Sequence, residues 1–94
     1  MGDKLRITVK YLGAFTDVAK SKGEICELTV PLLSELIADL IARKGEKFQF
    51  LLIDSEAGTL RGGTTLLVNG QRRELNHELV DGDEVTLLNP IAGG

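Results

Sequence analysis

The chain has 94 residues, of which 43% are hydrophobic and 27% charged, and it carries a formal net charge of −3. That length holds one domain with a modest core and not two. The mildly acidic balance argues against nucleic acid as a partner, because phosphate binding needs a basic field. No apolar run approaches the roughly 20 residues of a membrane-spanning helix, so no membrane partner is expected. A single cysteine, Cys26, excludes an internal disulfide and a multi-cysteine metal site. With no signal peptide in the sequence, it predicts a reducing, cytoplasmic setting.

From Lys4 to Leu12 the sequence alternates. Leu5, Ile7, Val9 and Tyr11 fall on one side, and Lys4, Arg6, Thr8 and Lys10 on the other, which predicts a strand with one buried face. Gly13 ends it, and Ala14 to Ala19 predicts a short helical turn with Phe15, Val18 and Ala19 turned inward. Ser21-Lys22-Gly23 is a turn signal, and Glu24 to Val30 a second strand that pairs with the first. Cys26 lies in that strand as a small buried hydrophobe. Pro31 then suits the entry to a helix. Leu32, Leu33, Leu36, Ile37, Leu40 and Ile41 form one apolar stripe at helical spacing, with acidic residues early, basic residues late and Gly45 as the stop.

Phe48, Phe50, Leu51, Leu52 and Ile53 are an apolar, β-prone run and predict a third strand or extended segment. Asp54 to Gly58 is a loop. Leu60-Arg61-Gly62-Gly63 is similar to the tail of ubiquitin, but its glycines carry no free carboxylate, and cleavage there would remove strands the core needs. It is read as a loop before the next strand. Thr64 to Val68 is that strand. Asn69-Gly70 is a strong hairpin signal, because both central positions of a type I′ turn need positive φ. Gln71 to Glu74 returns as a short polar edge. His77 stands near a turn with no second histidine or cysteine at ligand spacing, so no metal site is expected. Asp81-Gly82-Asp83 is another turn, and Glu84 to Leu88 the last strand.

This order predicts an α+β chain of the β-grasp (ubiquitin-like) type. A mixed sheet of four to five strands carries one main helix on one face, and the first and last strands are expected to pair centrally and in parallel, as they do in a β-grasp fold. Residues 1–88 form the domain and residues 89–94 a flexible C-terminal tail, Asn89-Pro90-Ile91-Ala92-Gly93-Gly94. Gly93 and Gly94 have no Cβ, so this segment can enter a channel too narrow for side chains. Such an end suits a carboxylate that another protein handles chemically.

Three stretches carry a family likeness: Leu66-Leu67-Val68-Asn69-Gly70, Leu79-Val80-Asp81-Gly82-Asp83-Glu84-Val85, and Leu87 to Gly94. In that order and near that spacing they resemble the MoaD/ThiS family of ubiquitin-like sulfur carriers. That family includes the molybdopterin synthase small subunit and the thiamine-pathway carrier. Tyr11 to Ala19 and Leu36 to Gly45 extend the resemblance over the chain. The long loop Asp54 to Gly63 is more similar to the molybdopterin type or to the ubiquitin-related modifiers. Where the molybdopterin type usually has two prolines before its tail, Asn89-Pro90 stands.

The resemblance implies a carrier, the sulfur-carrying subunit of a synthase rather than a stand-alone catalyst. A ubiquitin-activating-like adenylating enzyme would use ATP to convert Gly94 to an acyl-adenylate, and a sulfur-transfer enzyme would supply the sulfur of a thiocarboxylate. The molybdopterin synthase large subunit would take the tail into its active site. No cofactor is expected on the chain itself. Gly94 and Gly93 carry the reaction, Pro90, Ile91 and Ala92 direct the arm, and Leu88 and Tyr11 are candidates for partner contact, with core packing as their alternative role. Other readings are a protein modifier forming isopeptide bonds with lysines, a sulfur donor for thiamine or tRNA thiolation, or a plain β-grasp interaction domain.

Overall fold

The computed structural model describes residues 4–89. Its main sheet has five strands: β1 (Leu5–Gly13), β2 (Gly23–Leu28), β5 (Thr65–Val68), β6 (Gln71–Arg72) and β7 (Glu84–Asn89). They lie in the order β2-β1-β7-β5-β6, and a separate two-stranded ribbon joins β3 (Ile53–Asp54) to β4 (Thr59–Leu60). The helices are α1 (Ala14–Ala19), α2 (Leu33–Lys44) and α3 (Glu46–Leu52). The first and last strands pair in parallel at the centre, with Val9 opposite Val85 and Tyr11 opposite Leu87. The sheet is mixed, because β2 and β5 run antiparallel to these two central strands.

The alternation in β1 does what its period dictates. Ile7, Val9 and Tyr11 are buried against the helices, and the residues between them face solvent. On α2, Leu33, Leu36, Ile37 and Leu40 are buried at helical spacing. They meet Val85 and Leu87 of β7 and Leu66 and Val68 of β5 in one continuous core. The helix stops at Gly45, whose φ of 95° lies outside the range an L side chain adopts comfortably, and its N–H returns to the Ile41 carbonyl at 3.0 Å.

The segment from Phe48 to Leu52, predicted as a strand, is helical. A strand would place Phe48, Phe50 and Leu52 on one face. Instead Phe48 and Leu52, four apart, are fully buried while Phe50 is 68% exposed. Burying a pair at i and i+4 selects the helix over the β-propensity of the side chains, with Glu46 in its first turn favourable to the helix dipole. Phe48 packs between Tyr11 and Phe15, at ring-centroid distances of 5.9 and 5.5 Å. Three helices therefore stand where one main helix and a turn were expected.

Other boundaries shift slightly: β2 ends at Leu28 rather than Val30, and β6 is only Gln71–Arg72. Asn69 and Gly70 both have positive φ, 51° and 82°, as the hairpin turn requires. Asn69 also reaches the next turn. Its Nδ2 donates to Asp83 Oδ1 at 2.8 Å, and its Oδ1 accepts from the Glu84 N–H at 3.0 Å. Asp83 Oδ2 in turn accepts from the Val80 N–H at 2.9 Å. The two turns are thus pinned together, which holds β7 in register beside β5.

Candidate functional site

The candidate site lies where β7 ends. On the central strands, Leu12 pairs with Leu88 and Gly13 with Asn89, while Thr65 of β5 lies across from Leu88. By strand alternation Leu12, Leu88 and Thr65 share the outer face of the sheet, opposite the buried Tyr11 and Leu87. Leu12 is 47% exposed and Leu88 partly so. Leu67 and Thr86 form the next pair on the same face. An apolar patch therefore borders the end of β7, on a face that neither α2 nor α3 covers.

Tyr11 is not in that patch. It is 1% exposed, its ring edge meets Phe48, and its hydroxyl donates to Glu24 Oε2 at 2.6 Å. The reason is parity: Tyr11 belongs to the inward series of β1, and its neighbour Leu12 to the outward one. Leu12 is thus the surface residue that the sequence reading passed over, although the same alternation contained it. Leu88 does lie near the end of β7. Pro90, Ile91, Ala92, Gly93 and Gly94 lie outside the described residues.

The underside of this strand end is polar. Asn89 is 5% exposed and Thr64 6%. Asn89 Nδ2 donates to Thr64 Oγ1 at 3.3 Å, and Thr64 Oγ1 donates to the Leu51 carbonyl at 3.0 Å. The Leu51 carbonyl is one of four consecutive carbonyls at the C-terminal end of α3, and the loop after β4 satisfies the other three through Arg61. The Arg61 N–H donates to the Leu52 carbonyl at 2.9 Å, its Nη2 to the Ile53 carbonyl at 3.1 Å, and its Nε to the Phe50 carbonyl. The guanidinium also stacks 4.0 Å above the Phe50 ring. The Arg61-Gly62-Gly63-Thr64 stretch is therefore a helix cap, with Gly63 at φ 87° turning the chain into β5. A helix end has no sequence signal when the helix itself is read as a strand, so Arg61 and Thr64 were legible only as a loop.

On the other side of β1 a charge cluster surrounds Glu24. Lys44 Nζ lies 2.6 Å from Oε2 and Arg43 Nη1 2.8 Å from Oε1, while Arg43 Nε contacts Asp39 Oδ2 at 3.1 Å. Burial disfavours the Glu24 carboxylate, but hydrogen bonds from Lys44, Tyr11 and Arg43 outweigh it and hold its pKa down at about 2. The Tyr11 phenol is pushed far above its usual range by burial, and by its bond to Glu24. Cys26 is 4% exposed, and Arg43 Nη2 sits 3.2 Å from its Sγ. Burial raises the thiol and keeps it protonated, as does the nearby Glu24 charge. Among the described residues no three His, Cys, Asp or Glu side chains converge to hold a metal ion, and no helix is long and apolar enough to cross a membrane.

Residues 9–94 match the ThiS family. The chain belongs to the ThiS family. Solved structures of similar proteins share the fold of this ThiS chain. Urm1 from Trypanosoma brucei is 28% identical, with all of both chains covered and a TM-score of 0.76. The Pyrococcus furiosus protein assigned as molybdopterin converting factor subunit 1 is 27% identical, with 93% of this chain and 99% of that one covered and a TM-score of 0.75. A chain in the Helicobacter pylori complex of molybdopterin-converting factor subunits 1 and 2 is 25% identical, with 96% of this chain and 100% of that one covered and a TM-score of 0.60. No curated protein matches the ThiS chain.

Proposed function

We propose that this ThiS-family chain is a sulfur carrier that works through Gly94 and donates sulfur in molybdopterin biosynthesis. The observation that carries the reading is the family match, which runs through the Gly-Gly end at residue 94. The exposed Leu12 and Leu88 pair supports it, because a partner that handles the tail must dock beside its root. The likeness to proteins of the molybdopterin-converting factor, one of them in complex with a second subunit, favours that pathway.

A carboxylate is anionic at neutral pH and repels an anionic sulfur nucleophile, so it needs activation. An adenylating enzyme lets a Gly94 carboxylate oxygen attack the α-phosphorus of ATP, and pyrophosphate leaves. A persulfide then attacks the acyl carbon and AMP leaves. A thiol opens the resulting acyl disulfide, taking up the S–S bond and releasing the thiocarboxylate. The thiocarboxylate gives its sulfur to a pterin precursor in the large subunit of a synthase, and water restores the carboxylate. The chain's own residues bind and present the group, and ATP is consumed on the activating enzyme.

The test is the intact mass of the untagged protein isolated from its own host. The expected result is a species heavier by the exchange of one oxygen for sulfur, absent when Gly94 is deleted. A lysine conjugate with no such species would instead identify a protein modifier. If ATP, a cognate activating enzyme and a sulfur source leave the mass unchanged, the carrier reading fails.

A further inference from the structure

The polar chain beneath the end of β7 has a fixed direction. Thr64 has one hydroxyl proton, and it is donated to the Leu51 carbonyl. The bond to Asn89 must therefore run from Asn89 Nδ2 to the Thr64 oxygen, and this sets the orientation of the side-chain amide. Asn89 Oδ1 then faces Gly63, where a Cβ would stand 3.9 Å from it. Both side chains are buried, so losing either one removes this bond in a place water reaches poorly. The Leu51 end of the chain is anchored as well, since α3 is held by the Arg61 cap and by the burial of Phe48 and Leu52.

The backbone at the same point is held from the opposite side, where Asn89 pairs with Gly13 on β1. Proline follows Asn89 in the sequence, and a residue before proline is confined to extended backbone. Asn89 is thus restrained through its side chain, through its strand partner and through its successor. The amide of Asn89 thus reaches a helix cap 25 positions away in the sequence.

We propose that Thr64 and Asn89 are positioning residues: they tie the last residue of β7 to the capped end of α3 and so fix the backbone of residue 89, to which the C-terminal residues are joined. The consequence for activity rests on the sulfur-carrier reading, in which Gly94 must reach an activating site in a productive geometry. A small misplacement in such a site costs on the order of tenfold to a hundredfold in rate. Docking, by contrast, depends on the outer patch around Leu12 and Leu88, which neither positioning side chain joins.

The experiment measures ATP–pyrophosphate exchange by the cognate activating enzyme as a function of carrier concentration, together with 15N relaxation of the free protein. Thr64→Val and Asn89→Ala are expected to lower kcat about tenfold while KM stays within about twofold, and Thr64→Ser to restore kcat. In the same Thr64→Val and Asn89→Ala proteins the backbone order parameter of residue 89 is expected to fall from about 0.85 to below about 0.6, with Leu87 unchanged. An unchanged kcat, or a loss seen only in KM, would overturn the proposal. If the wild-type protein supports no exchange, the sulfur-carrier reading fails, and relaxation decides the positioning claim: an unchanged order parameter at residue 89 overturns it. Should Thr64→Val not fold, Asn89→Ala, which leaves the α3 cap bonded, carries both readouts.

Discussion

The Tyr11 hydroxyl donates to Glu24 Oε2 at 2.6 Å, a bond from the central strand β1 to the edge strand β2 that joins the aromatic core to the Lys44 and Arg43 cations. It turns what reads in sequence as an apolar strand face into one that ends on a buried polar group. The partly buried carboxylate is stabilised in its charged form, and this has a pH signature. Below the ordinary carboxyl value of 4.5 the unfolded chain takes up a proton that folded Glu24 refuses until about pH 2. Stability therefore rises with pH through that window and is lost as pH falls through it. With allowance for solvent screening, the contribution at neutral pH is about 2 kcal/mol. Glu24→Gln is expected to lower Tm by about 10 °C at pH 7 and to flatten the acid limb between about pH 4.5 and pH 2. Thermal melts of both proteins across that range check it, and parallel acid limbs would contradict it.

Tyr11 is the only tyrosine, and the chain has no tryptophan, so phenolate absorbance reports this one group. With its pKa raised by burial and by the Glu24 bond, it is expected not to titrate near the ordinary value of about 10. Phenolate should appear only in step with alkaline unfolding, followed by circular dichroism in the same samples. Ionisation well before unfolding would show that the core is open to solvent at Tyr11.

Arg61 satisfies three carbonyls at the end of α3, two of them through a planar fork. Arg61→Ala is expected to cost about 2 kcal/mol in urea unfolding, with the m-value unchanged. Arg61→Lys should recover less than half of that, because a single ammonium cannot span the Phe50 and Ile53 carbonyls or stack on the Phe50 ring in the same way. Full recovery by lysine would mean that charge near the helix end, and not the fork, is what matters.

Leu12→Glu tests the outer patch. Leu12 is already half in water, so stability should change by no more than about 0.5 kcal/mol. Affinity for the activating enzyme or the large synthase subunit, measured by calorimetry, is expected to fall at least about tenfold. The same substitution at an exposed position away from the end of β7, Ile25→Glu, should leave that affinity within about twofold. Equal losses at both positions would move the docking surface off the Leu12 and Leu88 face.

The sequence by itself determined everything that a local period or a turn residue specifies. The alternation in β1, the stripe on α2, the positive φ at Asn69 and Gly70 and the stop at Gly45 all follow from short-range sterics and from one-sided burial, and all stand in the structure. So does the parallel pairing of the first and last strands, which was expected from the likeness to a β-grasp fold. The partial exposure of Leu88 on the outer face follows from the same alternation.

Tertiary structure alone decided the rest. Phe48 to Leu52 has the composition of a strand, and only the need to bury Phe48 and Leu52 together against Tyr11 and Phe15 makes it a helix. Once it is a helix, its last carbonyls need donors, and Arg61 and Thr64 acquire a role that no spacing announces. The Asn89 amide meets Thr64 from 25 positions away in the chain. Contacts of that kind depend on how elements come to lie together, and a linear pattern carries no information about it until the fold has closed.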